Sequence, residues 1–319
     1  MNTWRPTILW MAAALVVIVL VPLSTGEYGI EIGFRLLLYI VLGEAWNLMA
    51  GYGGLVSLGT ASSVGIGAYV LVGMLNHISP SLPLALTASA VAAAILAAIV
   101  SPAVFRLRGL YFTVGTLALG EALRLFMINF NYFGGATGLF LRDDPPSPTG
   151  LYIYAAVVFA LATIVISIYT RSRLSIALRA VRDDEAAAAQ IGVRAFRVKL
   201  AAFTVASALM AVAGALQGLH LGTIEPYGTF GLQWSIDAVT IVVVGGMGQR
   251  AGAIVGAIVV VALAELLADY PELHVAINGL ILIIVIRFAP AGLTGLAKRW
   301  WQYRKAAATP FAPAAGNAS

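Results

Sequence analysis

The 319-residue sequence lacks cysteine, and only 10% of its residues are charged. The lack of cysteine excludes disulfides and thiolate metal sites. The low charge leaves too little polar surface to solvate a globule of this size, because 61% of the residues are hydrophobic. No side-chain cluster has metal-ligand spacing, and no nucleophile–base arrangement indicates an enzyme. We therefore expect a membrane protein that is not an enzyme, needs no cofactor and binds no nucleic acid.

Lysine is also scarce, occurring as Lys199, Lys298 and Lys305, and none of the three follows a glycine. A phosphate-binding loop of the form G-x-x-x-x-G-K-[ST] is therefore missing. No extramembrane stretch is long enough to form a solute-binding domain. If the chain takes part in active transport, we expect other proteins to hydrolyse ATP and to capture the solute.

Long apolar runs dominate the sequence instead. Many approach the roughly 20 residues that a helix needs to cross hydrocarbon, and the alternation typical of barrel strands is not found. The predicted fold is all-α, a polytopic membrane protein with about ten transmembrane helices. The predicted spans are 7–23, 30–50, 55–75, 83–104, 109–130, 151–169, 198–221, 235–248, 252–268 and 273–289. Two alternatives remain. The first span also has the pattern of a secretory signal. The eighth and tenth spans are short, so the alternative for each is a re-entrant or broken helix.

Basic residues predict the orientation. With a cytoplasmic N-terminus, the inner connections collect most of the 19 lysines and arginines, and the outer ones collect Arg142. Both termini are then cytoplasmic. Spans 2–5 and 7–10 run in opposite directions, which allows an inverted repeat that glycines in both halves support weakly. We treat residues 1–305 as one transmembrane domain and residues 306–319, rich in Ala and Pro, as a disordered tail.

A stretch rich in glycine and hydroxyl side chains interrupts the apolar pattern around the third span. Broken helices in a membrane can expose backbone amides and carbonyls to a solute. The alternative is tight helix packing, which small residues also allow. The residues predicted to line a translocation pathway are Asn47, Gly53, Gly54, Ser57, Gly59, Thr60 and Ser62.

The inner connection 171–199 is rich in basic residues and has the pattern of two short helices. Leu174 and Leu178 have helical amphipathic spacing, and carboxylates then open an alanine run that Gly192 ends. Two helices meeting near Asp183 would form a rigid projection suited to docking a partner. The alternative is a solvated loop with arginines at the membrane surface.

Short sequence motifs in this connection and along the chain resemble those of a known family. Arg179-Ala-Val-Arg-Asp-Asp-Glu185-Ala-Ala with the following Gly192 resembles the EAA-type cytoplasmic loop of ABC importer permeases. Five further motifs resemble those of the M-type subunit of branched-chain amino acid (LIV-type) permeases and occur in the order typical of that subunit. They are Gly53-Gly-Leu-Val-Ser-Leu-Gly59, Gly65-Ile-Gly-Ala-Tyr69, Leu107-Arg-Gly-Leu-Tyr-Phe112, Gly134-Gly-Ala-Thr-Gly138 and Gly245-Gly-Met-Gly248.

The resemblance implies a permease subunit of an ATP-driven importer for branched-chain or other hydrophobic amino acids in a bacterial inner membrane. It implies four kinds of partner: a second permease subunit, two ATP-binding subunits, a periplasmic solute-binding protein and membrane lipid. It also implies that the projection docks on the ATP-binding subunits. The coupling residues implied are Arg179, Arg182, Asp183, Glu185, Ala186, Ala187 and Gly192.

Two alternatives concern the solute and the energy source. After Gly59 the family often has His or Gln where this chain has Thr60, so urea, amides or aromatic acids are alternative solutes. A proton-coupled carrier is a further alternative, because several ionisable residues fall in the predicted spans. The spacing predicts ion pairs on one helix for Glu31 with Arg35 and for Glu121 with Arg124. The sequence shows no obvious partner for Glu44 or Glu265.

Overall fold

A computed structural model describes residues 26–268, 271–289 and 291–296. The predicted span 7–23 and the predicted tail 306–319 lie outside the described residues. The described part is almost entirely helical, which confirms the all-α fold. The helices are α1 (Gly26–Asn47), α2 (Thr60–His77), α3 (Leu82–Val104), α4 (Leu110–Asn129), α5 (Pro148–Arg171), α6 (Arg173–Asp183), α7 (Glu185–Gln190), α8 (Ala195–Leu221), α9 (Pro226–Thr229), α10 (Gln233–Gly245), α11 (Arg250–Leu266) and α12 (Pro271–Phe288).

Seven segments within the described ranges are long and apolar enough to cross a membrane, as expected of a multi-pass membrane protein. Helices α2 and α11 also form where spans were predicted, but they are not among these seven. The total of about ten spans therefore stays a prediction. The seven segments are Gly26–Tyr52, Leu82–Val104, Leu110–Asn129, Pro148–Arg171, Ala195–Leu221, Pro226–Gly245 and Gly279–Leu296.

Helices α2 and α8 approach so closely that glycine is required at their contact. A Cβ on Gly67 would lie 2.0 Å from the carbonyl oxygen of Ala211, and one on Gly214 would lie 2.3 Å from that of Val64. Ser89 of α3 donates a hydrogen bond to the Gly67 carbonyl at 2.9 Å, so three helices join here. Small residues permit this approach in lipid, where packing contacts drive helix association.

Connections predicted to share the inner side of the membrane meet at one end of the bundle. This end, called the basic end below, is formed by residues 105–109, 171–199 and 246–250. Here the Arg182 side chain donates a hydrogen bond at 2.9 Å to the carbonyl of Gly51, near the end of α1. The predicted grouping of inner connections is therefore compatible with the packing.

The opposite end, called the strand end, is held together by backbone pairing. Strands β1 (Leu139–Phe140) and β2 (Thr223–Ile224) form an antiparallel pair. Asn76, near the end of α2, donates a hydrogen bond at 2.8 Å to the carbonyl of Phe140. Three segments at this end are thus joined to one another.

Candidate functional site

The pathway segment is a helix break between α1 and α2. Helix α1 continues into a π-helix at Leu48–Tyr52, and residues 54–59 are not helical. The helix of the third predicted span, 55–75, begins after this break, at Thr60. The chain turns at Gly54, whose φ of +68° lies in the region that favours glycine.

Side chains satisfy the backbone of this break. The indole nitrogen of Trp46 donates to the carbonyl of Ser57 at 2.9 Å, and the amide of Leu58 donates to Oγ1 of Thr116 at 3.0 Å. Irregular backbone at membrane depth is tolerated where protein groups replace the lost helical hydrogen bonds. The break is thus a built feature that α4 helps to hold.

Four of the predicted pathway residues, Ser57, Gly59, Thr60 and Ser62, surround one internal cavity of about 10 Å³. A cavity of this size holds about one water molecule, so it is closed to an amino acid in this structure. The Thr60 hydroxyl is buried and has no hydrogen-bond partner within the described residues. Other hydroxyl groups lining the cavity belong to Ser63, Thr116 and Ser207.

Asn47 lies outside the residues that line the cavity and connects two glycine-rich segments. Its side-chain amide donates to the carbonyl of Gln249 at 3.0 Å, and its side-chain oxygen accepts from the amide of Gly248 at 2.8 Å. These partners lie in the turn between α10 and α11. A Cβ on Gly51 would come within 2.5 Å of the Gly248 amide, so the two segments touch through backbone. The inverted repeat that they suggested stays a prediction.

Gly53 and Gly54 contact α6. A Cβ on Gly53 would lie 3.1 Å from Cδ1 of Leu178, and one on Gly54 would lie 2.6 Å from Cγ of Arg182. The Arg182 guanidinium also donates to the carbonyl of Gly51 at 2.9 Å. Helix α6 of the projection therefore touches the helix break directly.

Asp184 makes α6 and α7 two separate helices. Its carboxylate accepts hydrogen bonds from the amides of Ala186 at 2.8 Å and Ala187 at 3.0 Å, an N-cap for α7. After α7, Gly192 adopts a φ of +84°, which favours glycine. The expected pair of short helices, and their meeting point, are therefore present.

The charged residues of the projection mostly bind their own chain. The Arg179 guanidinium lies 4.8 Å from the ring centre of Tyr52. Arg182 pairs with Asp183 at 2.8 Å, and Glu185 pairs with Lys199 of α8 at 2.7 Å. These contacts brace α6 and α7 against the ends of α1 and α8. Of the residues predicted for coupling, Ala186, Ala187 and Gly192 are the exposed, small ones left for a partner.

Both ion pairs predicted within spans are confirmed, and Glu265 has two partners that were not predicted. Arg35 lies 3.5 Å from Glu31, and Arg124 binds Glu121. Glu265 accepts a hydrogen bond from the Tyr28 hydroxyl and lies 3.7 Å from Arg35. The sequence could not reveal these partners because they come from the distant helix α1.

Glu44 is also partnered across helices. It is buried, and the Thr163 hydroxyl of α5 donates to its carboxyl group at 3.3 Å. Arg250 interacts electrostatically with Glu44 and donates to the Thr163 carbonyl at 3.1 Å. The cluster joins α1, α5 and α11.

Comparison with known protein families shows which family the chain belongs to. A family model described as "Branched-chain amino acid transport system / permease component" matches residues 28–286. The chain belongs to this family. The permease is 30% identical over 329 residues to the high-affinity branched-chain amino acid transport system permease protein LivM of Salmonella typhimurium, covering 91% of this chain and 75% of the relative.

Two further relatives bear on the assignment. The LivM protein of Escherichia coli is 29% identical over 336 residues, which cover 94% of the permease and 78% of that protein. The permease protein LivH of Salmonella typhimurium is 32% identical over 142 residues, which cover 44% and 46% of the two chains. No solved structure matches the permease.

Sequence reasoning missed part of the site. Thr116 of α4 and Ser207 of α8 complete the hydroxyl lining of the cavity, and Lys199 braces Glu185. The only signal for Thr116 and Ser207 was a hydroxyl side chain in a largely apolar helix, which is equally typical of interhelical hydrogen bonding.

Proposed function

We propose that the permease is the M-type subunit of an ATP-driven ABC importer for branched-chain amino acids in a bacterial inner membrane. It would work with a second permease subunit, two ATP-binding subunits and a periplasmic solute-binding protein. The relatives support this proposal, because their names are those of branched-chain amino acid permeases of the LivM and LivH types. One observation carries it: the helix pair on the basic end touches the helix break, and residues of that break line the small cavity.

The basic end is the cytoplasmic side in this proposal, and both termini are cytoplasmic. The positive-inside rule supports this orientation, since arginines concentrate in residues 171–199. The strand end then faces the periplasm and the solute-binding protein.

Coupling would begin at α7. Its exposed alanines offer a smooth surface to an ATP-binding subunit, and Asp184 and the Glu185–Lys199 pair keep it in place. Movement of α6 would reach Gly53 and Gly54 through Leu178 and Arg182 without an intervening residue.

The helix break would convert that movement into opening of the path. Ser57, Gly59, Thr60 and Ser62 line the closed cavity, and Asn47 joins the break to the α10–α11 turn. Displacing the break relative to that turn would separate the hydroxyl groups around the cavity. The unpartnered Thr60 hydroxyl would then meet water or solute.

The test replaces Ala187 with Trp. Because Ala187 is exposed, the variant should insert and fold normally, but the bulky ring should prevent docking. Thr149→Trp, at an exposed position near the strand end, is the matched control. The complete transporter is purified from membranes, and the retained ATP-binding subunits and the ATP-dependent uptake of labelled leucine, urea and phenylalanine are measured.

We expect Ala187→Trp to lose the ATP-binding subunits and leucine uptake, and Thr149→Trp to retain the ATP-binding subunits. Full retention and full uptake by Ala187→Trp would refute the docking surface. Uptake of urea or phenylalanine in preference to leucine would refute the proposed solute, and uptake by the isolated permease on an ion gradient would refute the ATP-driven importer.

A further inference from the structure

An ion pair lies on the outward face of α4, in the half of this 20-residue helix that approaches the strand end. The Nε of Arg124 donates to the carboxylate of Glu121 at 2.9 Å, and a second guanidinium nitrogen also binds it. The side chain of Glu121 is 51% exposed and that of Arg124 is 23% exposed. The pair is therefore open on its outer side.

The surroundings of the pair are apolar. Val114, Leu125 and Phe126 are exposed on the same helix, and none of them carries a charge. Charged side chains within a membrane span almost always face a protein interior or a water-filled cavity, because lipid cannot solvate them. Lipid is thus a poor environment for this part of the α4 surface. The apolar residues of α4 could contact lipid, but the ion pair beside them could not do so favourably.

The opposite face of α4 borders the closed cavity. Thr116 lines that cavity, and its hydroxyl holds the helix break through the amide of Leu58. Helix α4 therefore separates the hydroxyl-lined cavity from the face that carries Glu121 and Arg124.

We infer that the exposed face of α4 lines a water-filled solute path beside the second permease subunit, and that Glu121 and Arg124 bind the ammonium and carboxylate groups of a zwitterionic amino acid. This inference rests on the proposed function and deepens it. A carboxylate next to a guanidinium is complementary to a solute that carries both charges on adjacent atoms.

The Arg124 guanidinium has a second contact besides Glu121. The Arg124 guanidinium lies 5.1 Å from the ring centre of Tyr227, in α9 at the strand end. Tyr227 is itself 54% exposed. An arginine that already contacts an aromatic ring can turn from Glu121 to a solute carboxylate while keeping that second contact. The site lies on the way in from the proposed periplasmic side.

The natural absence of cysteine allows a direct test of water access. Ala118→Cys and Ala122→Cys place single thiols at exposed positions of α4, on either side of Glu121. Ala98→Cys, at an exposed position of the charge-free helix α3, is the matched control. The complete transporter in lipid nanodiscs is treated with a membrane-impermeant, positively charged methanethiosulfonate reagent, and mass spectrometry of this chain gives the labelling rates.

We expect the two α4 thiols to react about tenfold faster than the α3 thiol, because thiolates form and react in water. Millimolar leucine should slow the reaction during turnover. Equal slow rates at all three positions, or rates that leucine leaves unchanged, would overturn the inference.

A second measurement tests the charges. The double variant Glu121→Gln/Arg124→Gln should lower ATP-driven leucine uptake about tenfold to a hundredfold, as expected for lost charge-assisted hydrogen bonds. Its unfolding temperature should change little, so that the loss of uptake cannot come from misfolding. Glu31→Gln/Arg35→Gln, the ion pair on α1, is the control and should keep uptake.

The outcomes separate this inference from the proposed function. If the unmodified transporter shows no ATP-dependent leucine uptake, the proposed function fails. If it transports leucine and Glu121→Gln/Arg124→Gln transports equally well, only the inference about α4 fails.

Discussion

Replacing Gly67 with alanine should destabilise the permease at the close contact between α2 and α8. The new Cβ would lie 2.0 Å from the carbonyl oxygen of Ala211, 2.6 Å from the carbonyl carbon and 2.7 Å from the Cα. An ordinary contact needs about 3.5 Å, so α2 and α8 would have to separate by roughly 1.5 Å. All three atoms belong to a helix backbone and cannot rotate away.

The expected loss is about 3 kcal/mol of unfolding free energy, the upper part of the range for overpacked cores. The bond from Ser89 to the Gly67 carbonyl would be disturbed as well. Gly73→Ala is the matched control in the same helix, since a Cβ there would meet no atom within 4 Å. That variant should be unchanged or more stable by about 0.5–1 kcal/mol, the usual preference for alanine in a helix.

The assay is denaturant unfolding of the purified protein in detergent micelles, followed by circular dichroism. The two variants should differ by about 3–4 kcal/mol. Equal unfolding midpoints for Gly67→Ala and Gly73→Ala would show that α2 and α8 do not approach as described.

Three further substitutions test separate contacts. Asn47→Leu removes both side-chain hydrogen bonds to the α10–α11 turn and takes the acceptor from the part-buried amide of Gly248, so it should lower the unfolding free energy by about 1–2 kcal/mol in the same assay; no loss would contradict the link to this turn. Arg250→Gln should lower the unfolding free energy by about 3 kcal/mol, because it leaves Glu44 buried without its nearby cation. Adding Glu44→Gln should restore most of that free energy. If the double variant is no more stable than Arg250→Gln, the two residues are not coupled. Gly192→Ala forces a side chain into a left-handed conformation at about 1 kcal/mol, so retention of ATP-binding subunits should fall about fivefold, and unchanged retention would exclude a role for this turn.

Local features of the permease could be predicted from its sequence. The apolar runs indicated the helices, and the carboxylates before the alanine run indicated the junction at Asp184, because capping depends on neighbouring residues. The ion pair of Glu121 and Arg124 followed from helical spacing. Each of these features involves residues within one or two helical turns.

Contacts between helices that are distant in the sequence could not be predicted. Nothing near Glu265 indicated Tyr28, and nothing near Asn47 indicated Gly248. Such pairs depend on which helices are neighbours, and periodicity within one helix carries no information on that. For the same reason, the sequence did not indicate that Gly53, which was predicted to line the path, also contacts the projection.

The joined segments at the strand end have a consequence for the transport cycle. The pairing of β1 with β2, together with the hydrogen bond from Asn76, ties three periplasmic segments in the proposed orientation into one unit. Parting them would break backbone hydrogen bonds, so we expect the helices to tilt beneath a surface whose contour stays constant. A solute-binding protein docked on that surface would keep the same docking geometry from the arrival of the solute to its release.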